Sequence, residues 1–280
     1  MVTLPASTLA RYERLSLFNS PYPAHDRGEA VDLYPDRDDG VAPSPVAGTV
    51  REVRTTRAPD RPYAVDDEHL VVVDVDADCL PDGDDLLARI LHVDPAVAPG
   101  DDVAVGDPIG TTIRSGYFAP WVADHLHLGF RPRDADPVRA SGSLPVELGV
   151  ETAALPWDGT GTVVETGDTW VRLDEPSGRT PGAWAGVAAA SGVALDGGVP
   201  HYAGGGALPG HDGALALAGT RVGHAAGREA TWDDVTLSAN GDAITGVSCF
   251  LTRDGGRGVK LVWRDHDVAV GDAVAVTVRR

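Results

Sequence analysis

Five residues between positions 25 and 127 have types and spacing suited to metal or proton chemistry. They are His25 and Asp32 in AHDRGEAVDLYP, His92 in LARILHVD, and His125 and His127 in DHLHLGF. Imidazole nitrogens and carboxylate oxygens both bind zinc, and an open, catalytic site takes three such ligands with water in the fourth position. His125 and His127 stand two apart, so in a strand they share a face, about 6.5–7 Å from one another along the chain. The pair can bind one metal together, or one ring can bind while the other faces a substrate. His25 and His127 with Asp32 would supply two nitrogens and one oxygen. His69, His201, His211, His224 and His266 have no comparable neighbours and are read as surface or core residues.

Such residues need elements to hold them, and the composition points to strands. Gly (34) and Pro (21) are frequent while short β-branched runs recur between turn residues, the pattern of an all-β chain. Candidate strands are Gly48–Val53, His69–Val75, Leu86–His92, His125–Phe130, Gly161–Glu165, Thr169–Leu173 and Ala273–Val278. A short helix is expected at Leu9–Leu15. Small residues and prolines between 140 and 156 mark a boundary, giving domains 1–148 and 149–280. Five of the six Trp follow that boundary, but the second domain carries no catalytic motif. It is read as a mainly β accessory domain. The hexapeptide DVAVGD occurs at Asp102–Asp107 and again at Asp267–Asp272, and is read as turn chemistry rather than as a repeat.

The series HDRGEAVDLYP, SPVAGTV, ILHVDPAVAPGDDVAVGDPIG and HLHLGF resembles the lysostaphin/LytM-type zinc endopeptidases, over residues of about 25–135. In that family a His…Asp pair precedes a "pV.A...G.V" strand pair. A strand ending in His, a "V..GD.V..G..IG" hairpin and an HLHF-like strand follow. The resemblance implies an antiparallel, barrel-sandwich-like domain with a groove over one face. It also implies that His25, Asp32 and His127 ligate Zn2+, and that His125 and His92 line the groove as catalytic residues. The implied reaction is peptide-bond hydrolysis by a metal-activated water on a peptide or protein substrate. Gly48, Gly100, Gly106 and Gly110 fall where hairpins need a permissive backbone. A non-catalytic binding or regulatory module with the same fold is the alternative. A carrier domain of the biotinyl/lipoyl type is disfavoured, because Lys260 lies in GVKLVW and not at a hairpin tip.

The charge narrows the partners. Of 42 acidic residues 33 are Asp, of 23 basic residues 22 are Arg, and the net charge is −19. Compact, strongly hydrated Asp in place of Lys suits a cytoplasm holding molar salt, where charges are screened beyond roughly 3 Å, and an extreme halophile is inferred. No basic face offers itself to a phosphate backbone, and no apolar run approaches the roughly 18 residues of a membrane span. A cytoplasmic protein without nucleic-acid or membrane partners is expected. The acidic runs Asp36, Asp38, Asp39 and Asp82, Asp84, Asp85 are read as solvated loops. Cys79 and Cys249, too few and too far apart for a framework, are read as small core residues.

Overall fold

The computed structural model describes residues 1–35, 39–81, 85–139, 141–256 and 258–280. Asp36, Asp38, Asp82 and Asp84 of the acidic runs lie outside the described residues. The fold is all-β: the described residues include two helices of four residues each, Ala6–Leu9 and Pro23–Asp26, and otherwise strands and turns. The chain forms two compact units, residues 1–15 with 28–149, and residues 16–27 with 150–280.

In the first unit one antiparallel sheet carries the histidine-bearing strands. From Ala30–Pro35, which Tyr12–Ser16 flanks, its order runs through Leu126–Pro132, Leu86–Leu91, Asp67–Val75, Gly48–Arg57 and Asp102–Val103. Val71, Val72 and Val73 are all fully buried, so both faces of that central strand are covered, and the β-branched run is continuous rather than alternating. A three-stranded antiparallel sheet of Val41–Pro43, Pro108–Thr112 and Val93–Pro95 lies in the same unit. Two buried guanidinium groups fasten the turn that follows Leu126–Pro132. Arg89 Nε donates to Pro137 O (2.6 Å), and Arg131 donates to Asp136 O and Arg139 O.

The second unit holds a twelve-stranded sheet whose middle strands are Ala194–Val199, Gly246–Cys249, Lys260–Val262 and Trp170–Leu173. Its core includes Trp157, Leu195, Trp232, Leu237, Leu261 and Trp263. The strand Ala273–Arg279 alternates strictly between exposed and buried positions, the period-two signature of a sheet with one wet face.

All seven candidate strands form, within a few residues of their expected bounds. The helix expected at Leu9–Leu15 does not. Ala6–Leu9 is a single turn, and Tyr12–Ser16 is a strand beside Ala30–Pro35. Leu9, Tyr12 and Leu15 share a helical spacing, but pairing with Ala30–Pro35 decides the conformation, as tertiary context does for short segments. Cys249 is buried as expected; Cys79 is only half-buried, with its sulfur 3.1 Å from the Ala47 N–H.

The glycines divide into two kinds. Gly100 and Gly106 do turn the chain, with φ of +97° and +92°. Gly48 and Gly110 instead lie within strands. A Cβ at either would sit 2.0 Å from a neighbouring backbone oxygen, that of Asp74 or Asp94. They are there for close approach of strands, not for a hairpin tip.

Candidate metal and histidine site

Asp32 and His127 face each other directly across paired strands. His127 Nδ1 lies 3.0 Å from Asp32 Oδ1, and His125 Nε2 lies 3.4 Å from Asp32 Oδ2. The two histidines thus converge on the two oxygens of one carboxylate, as the shared-face reading expects, although the strand begins only at Leu126. Asp32 and His125 are buried, and His127 is partly so.

The ring nitrogens are set by their other bonds. His125 Nδ1 is 2.8 Å from Ala123 O. In a neutral ring that nitrogen carries the proton, and Nε2 presents its lone pair. His25, on the short helix Pro23–Asp26, has Nδ1 2.8 Å from Leu17 O, which likewise makes Nε2 its ligand nitrogen. A second ring nitrogen held by a backbone carbonyl is the usual support of a metal-binding imidazole.

His25, Asp32 and His127 each offer a ligand atom, and these atoms lie within 4.8 Å of one another. Around a tetrahedral zinc with bonds of about 2.0–2.1 Å, neighbouring ligand atoms stand about 3.3 Å apart. The 3.0 Å between Asp32 and His127 is close to that spacing, and two nitrogens with one carboxylate are a donor set that zinc accepts. The three residues therefore fit a divalent metal ion.

His92 completes the cluster. Its ring centroid lies 5.4 Å from that of His125 and 5.8 Å from that of His127. Phe118 packs against two of these rings, stacking on His125 at 4.3 Å and meeting His92 edge-on at 4.6 Å. Tyr34 packs 4.9 Å from His125. His92 follows the strand Leu86–Leu91 directly and has φ +68°, a left-handed conformation rare for a residue with a Cβ.

Sequence reasoning missed Glu68 and Ser115. Glu68 accepts from the His92 ring and main chain, and Ser115 Oγ donates to Glu68. Burial would raise the Glu68 carboxyl, but hydrogen bonding and charge from His92, with the Ser115 hydroxyl, bring it down to about 2. Alternation from Leu70 and Val72, both on the covered face, was the available signal. It places Glu68 inward although DDEHL looks solvated.

Among the bland histidines, His201 is neutral at ordinary pH because burial pulls it down to about 4, and His69 pairs with Thr55 at 3.0 Å. Among the described residues no helix is long and apolar enough to cross a membrane.

Nothing among the curated proteins matches the sequence. Two solved structures show a loose likeness. The catalytic domain of the antimicrobial peptidase lysostaphin from Staphylococcus simulans, crystallized in the absence of phosphate, is 20% identical. That match covers 50% of this chain and 92% of its own, with a TM-score of 0.30. The antimicrobial peptidase lysostaphin from the same organism is 14% identical over 99% of this chain and 98% of its own, with a TM-score of 0.28. At such TM-scores neither structure assigns an activity or a site to the chain. Residues 3–148 match the "Domain of unknown function (DUF8155) N-terminal domain", and residues 153–279 match the corresponding C-terminal domain. The chain belongs to the DUF8155 family and carries both of its domains.

Proposed function

We propose that this protein is a zinc-dependent hydrolase of peptide bonds, with His25, Asp32 and His127 as metal ligands and His92 and His125 as the catalytic pair. The observation that carries the reading is the His25, Asp32, His127 grouping within 4.8 Å with two further imidazoles packed against it. When bound, zinc polarises a carbonyl and lowers the pKa of water toward about 7. The chain's own residues do the rest. His125, with Nδ1 tied to Ala123 O, keeps Nε2 available to take a proton from an attacking water. His92, held at Nδ1 by Glu68, presents Nε2 as a proton acceptor, and once Nε2 has taken up a proton it can donate to the developing oxyanion. Phe118 and Tyr34 surround these rings with apolar surface, which strengthens their electrostatic interactions. The sequence series over residues 25–135 makes a peptide or protein the substrate of choice. We read residues 149–280 as an accessory domain, and the Asp-rich, Lys-poor composition as adaptation to a cytoplasm of high salt.

The test is elemental analysis of protein purified in high salt without a His tag, beside its His127→Ala variant. About one zinc per chain, lost in the variant, is expected, together with hydrolysis of a fluorogenic peptide library by the parent only. Full zinc occupancy in the variant overturns the ligand assignment. Absence of zinc in both after dialysis against the metal leaves a non-catalytic binding module.

A further inference from the structure

We infer that Glu68 is a positioning residue that fixes the tautomer and orientation of His92, an assignment that rests on the hydrolytic reading above. Glu68 is 2% exposed and sits on the strand Asp67–Val75. A buried carboxylate persists only if its oxygens find donors, and here both are filled. Oε1 accepts the backbone N–H of His69 at 3.0 Å and that of His92 at 2.8 Å. Oε2 accepts His92 Nδ1 at 2.8 Å and Ser115 Oγ at 2.5 Å.

Two consequences follow for His92. An ionised carboxylate only accepts hydrogen bonds, so Nδ1 must carry a proton, and in the neutral ring Nε2 keeps its lone pair. One carboxylate also grips both the ring and the main chain of the same residue. This double hold accounts for a left-handed backbone at φ +68°, which a lone strand end would not sustain. Ser115 prevents the carboxylate from rotating away, and Phe118 closes the ring's edge. A residue buried only for stability would need no such two-point hold on an imidazole whose ring packs against two others.

The experiment uses the 15N-labelled full chain loaded with zinc. Long-range 1H–15N correlation reads the His92 tautomer, with the signal assigned by its loss in His92→Gln. A single Nδ1–H form is expected in the parent, and a mixture with Nε2–H in Glu68→Gln. Zinc stoichiometry is expected to stay unchanged in Glu68→Gln. On a fluorogenic peptide its kcat should fall roughly 10–100-fold with KM within about twofold. Ser115→Ala, a milder change for the case that Glu68→Gln does not fold, should admit a minor Nε2–H form and lower kcat about threefold. An unchanged tautomer in the variants, or a mixture already in the parent, overturns the inference. If the zinc-loaded parent cleaves no peptide, the hydrolytic reading alone fails, because the tautomer still decides the role of Glu68.

Discussion

Each unit buries carboxylates within its β framework, and they are treated oppositely. In the first, Asp32 and Glu68 face imidazoles: His127 and His125 for one, His92 for the other. In the second, Asp196 is fully buried and accepts from Ser16 Oγ (2.5 Å), Leu17 N (2.6 Å) and Phe18 N (3.2 Å). Burial raises the Asp196 carboxyl to about 6, and these donors, with the charge of His25, only partly oppose it. Glu68, facing a ring that can itself bear charge, is brought down to about 2. The contrast teaches what the buried polar groups are for. Asp196 ties the 16–18 segment to its strand with donors that have nothing left to give. Glu68 instead holds by Nδ1 a ring that has a second nitrogen.

The contrast can be broken most forcefully at Asp32. Asp32→Ala removes the proposed oxygen ligand and the carboxylate shared by two histidines, and should weaken zinc binding by more than about 100-fold, as read by chelator competition, with little change in unfolding free energy. Asp196→Ala should do the reverse. Leaving the Leu17 and Phe18 N–H groups buried without acceptors should cost on the order of 3 kcal/mol in urea unfolding. Retained zinc stoichiometry would sharpen the division, whereas equal losses in both variants would erase it.

The pH dependence of stability separates the two carboxylates by sign. Glu68 titrates below its ordinary 4.5, so its contribution is complete above that value and is lost as pH falls through about 2. Asp196 titrates above its ordinary 3.8, so its contribution is complete below that value and is lost as pH rises through about 6. Each limb is worth on the order of 3 kcal/mol. Urea midpoints measured from acid to neutral pH should lose the lower limb in Glu68→Gln and the upper limb in Asp196→Asn. If Asp196→Asn leaves the upper limb intact, the burial account of Asp196 is wrong. The smallest effect is expected at the surface, where Asp272→Glu should cost about 0.5–1 kcal/mol, and Asp107→Glu the same.

The strands were legible because β-branched runs alternate with turn residues, and Ala273–Arg279 shows the pattern at its plainest. The convergence of His125 and His127 was legible from their spacing. The supports of the site were not. Glu68 lies 24 positions from His92, and Ser115 lies 47 from Glu68. Their meeting is a product of strand register, which no local spacing encodes. Leu9–Leu15 was misread for the related reason that a few residues beside a strand of a sheet follow its pairing rather than their own spacing. Gly48 and Gly110 looked like turn residues, because a glycine needed for close approach leaves the same letter in the sequence.

The repeated hexapeptide carries one more lesson. Ala104 and Asp107, and again Ala269 and Asp272, close the same turn: the Asp N–H donates to the Ala carbonyl at 3.1 Å, and the Asp carboxylate accepts the Ala N–H. Ala98 and Asp101 build a third copy under different letters. Asp39, Asp136, Asp158, Asp174, Asp212 and Asp254 also accept backbone N–H groups in loops. Much of the aspartate in this chain is therefore architecture as well as charge. An engineer who wished to make the protein less acidic should leave these positions alone, or use Asn, which keeps the accepting oxygen at the same reach.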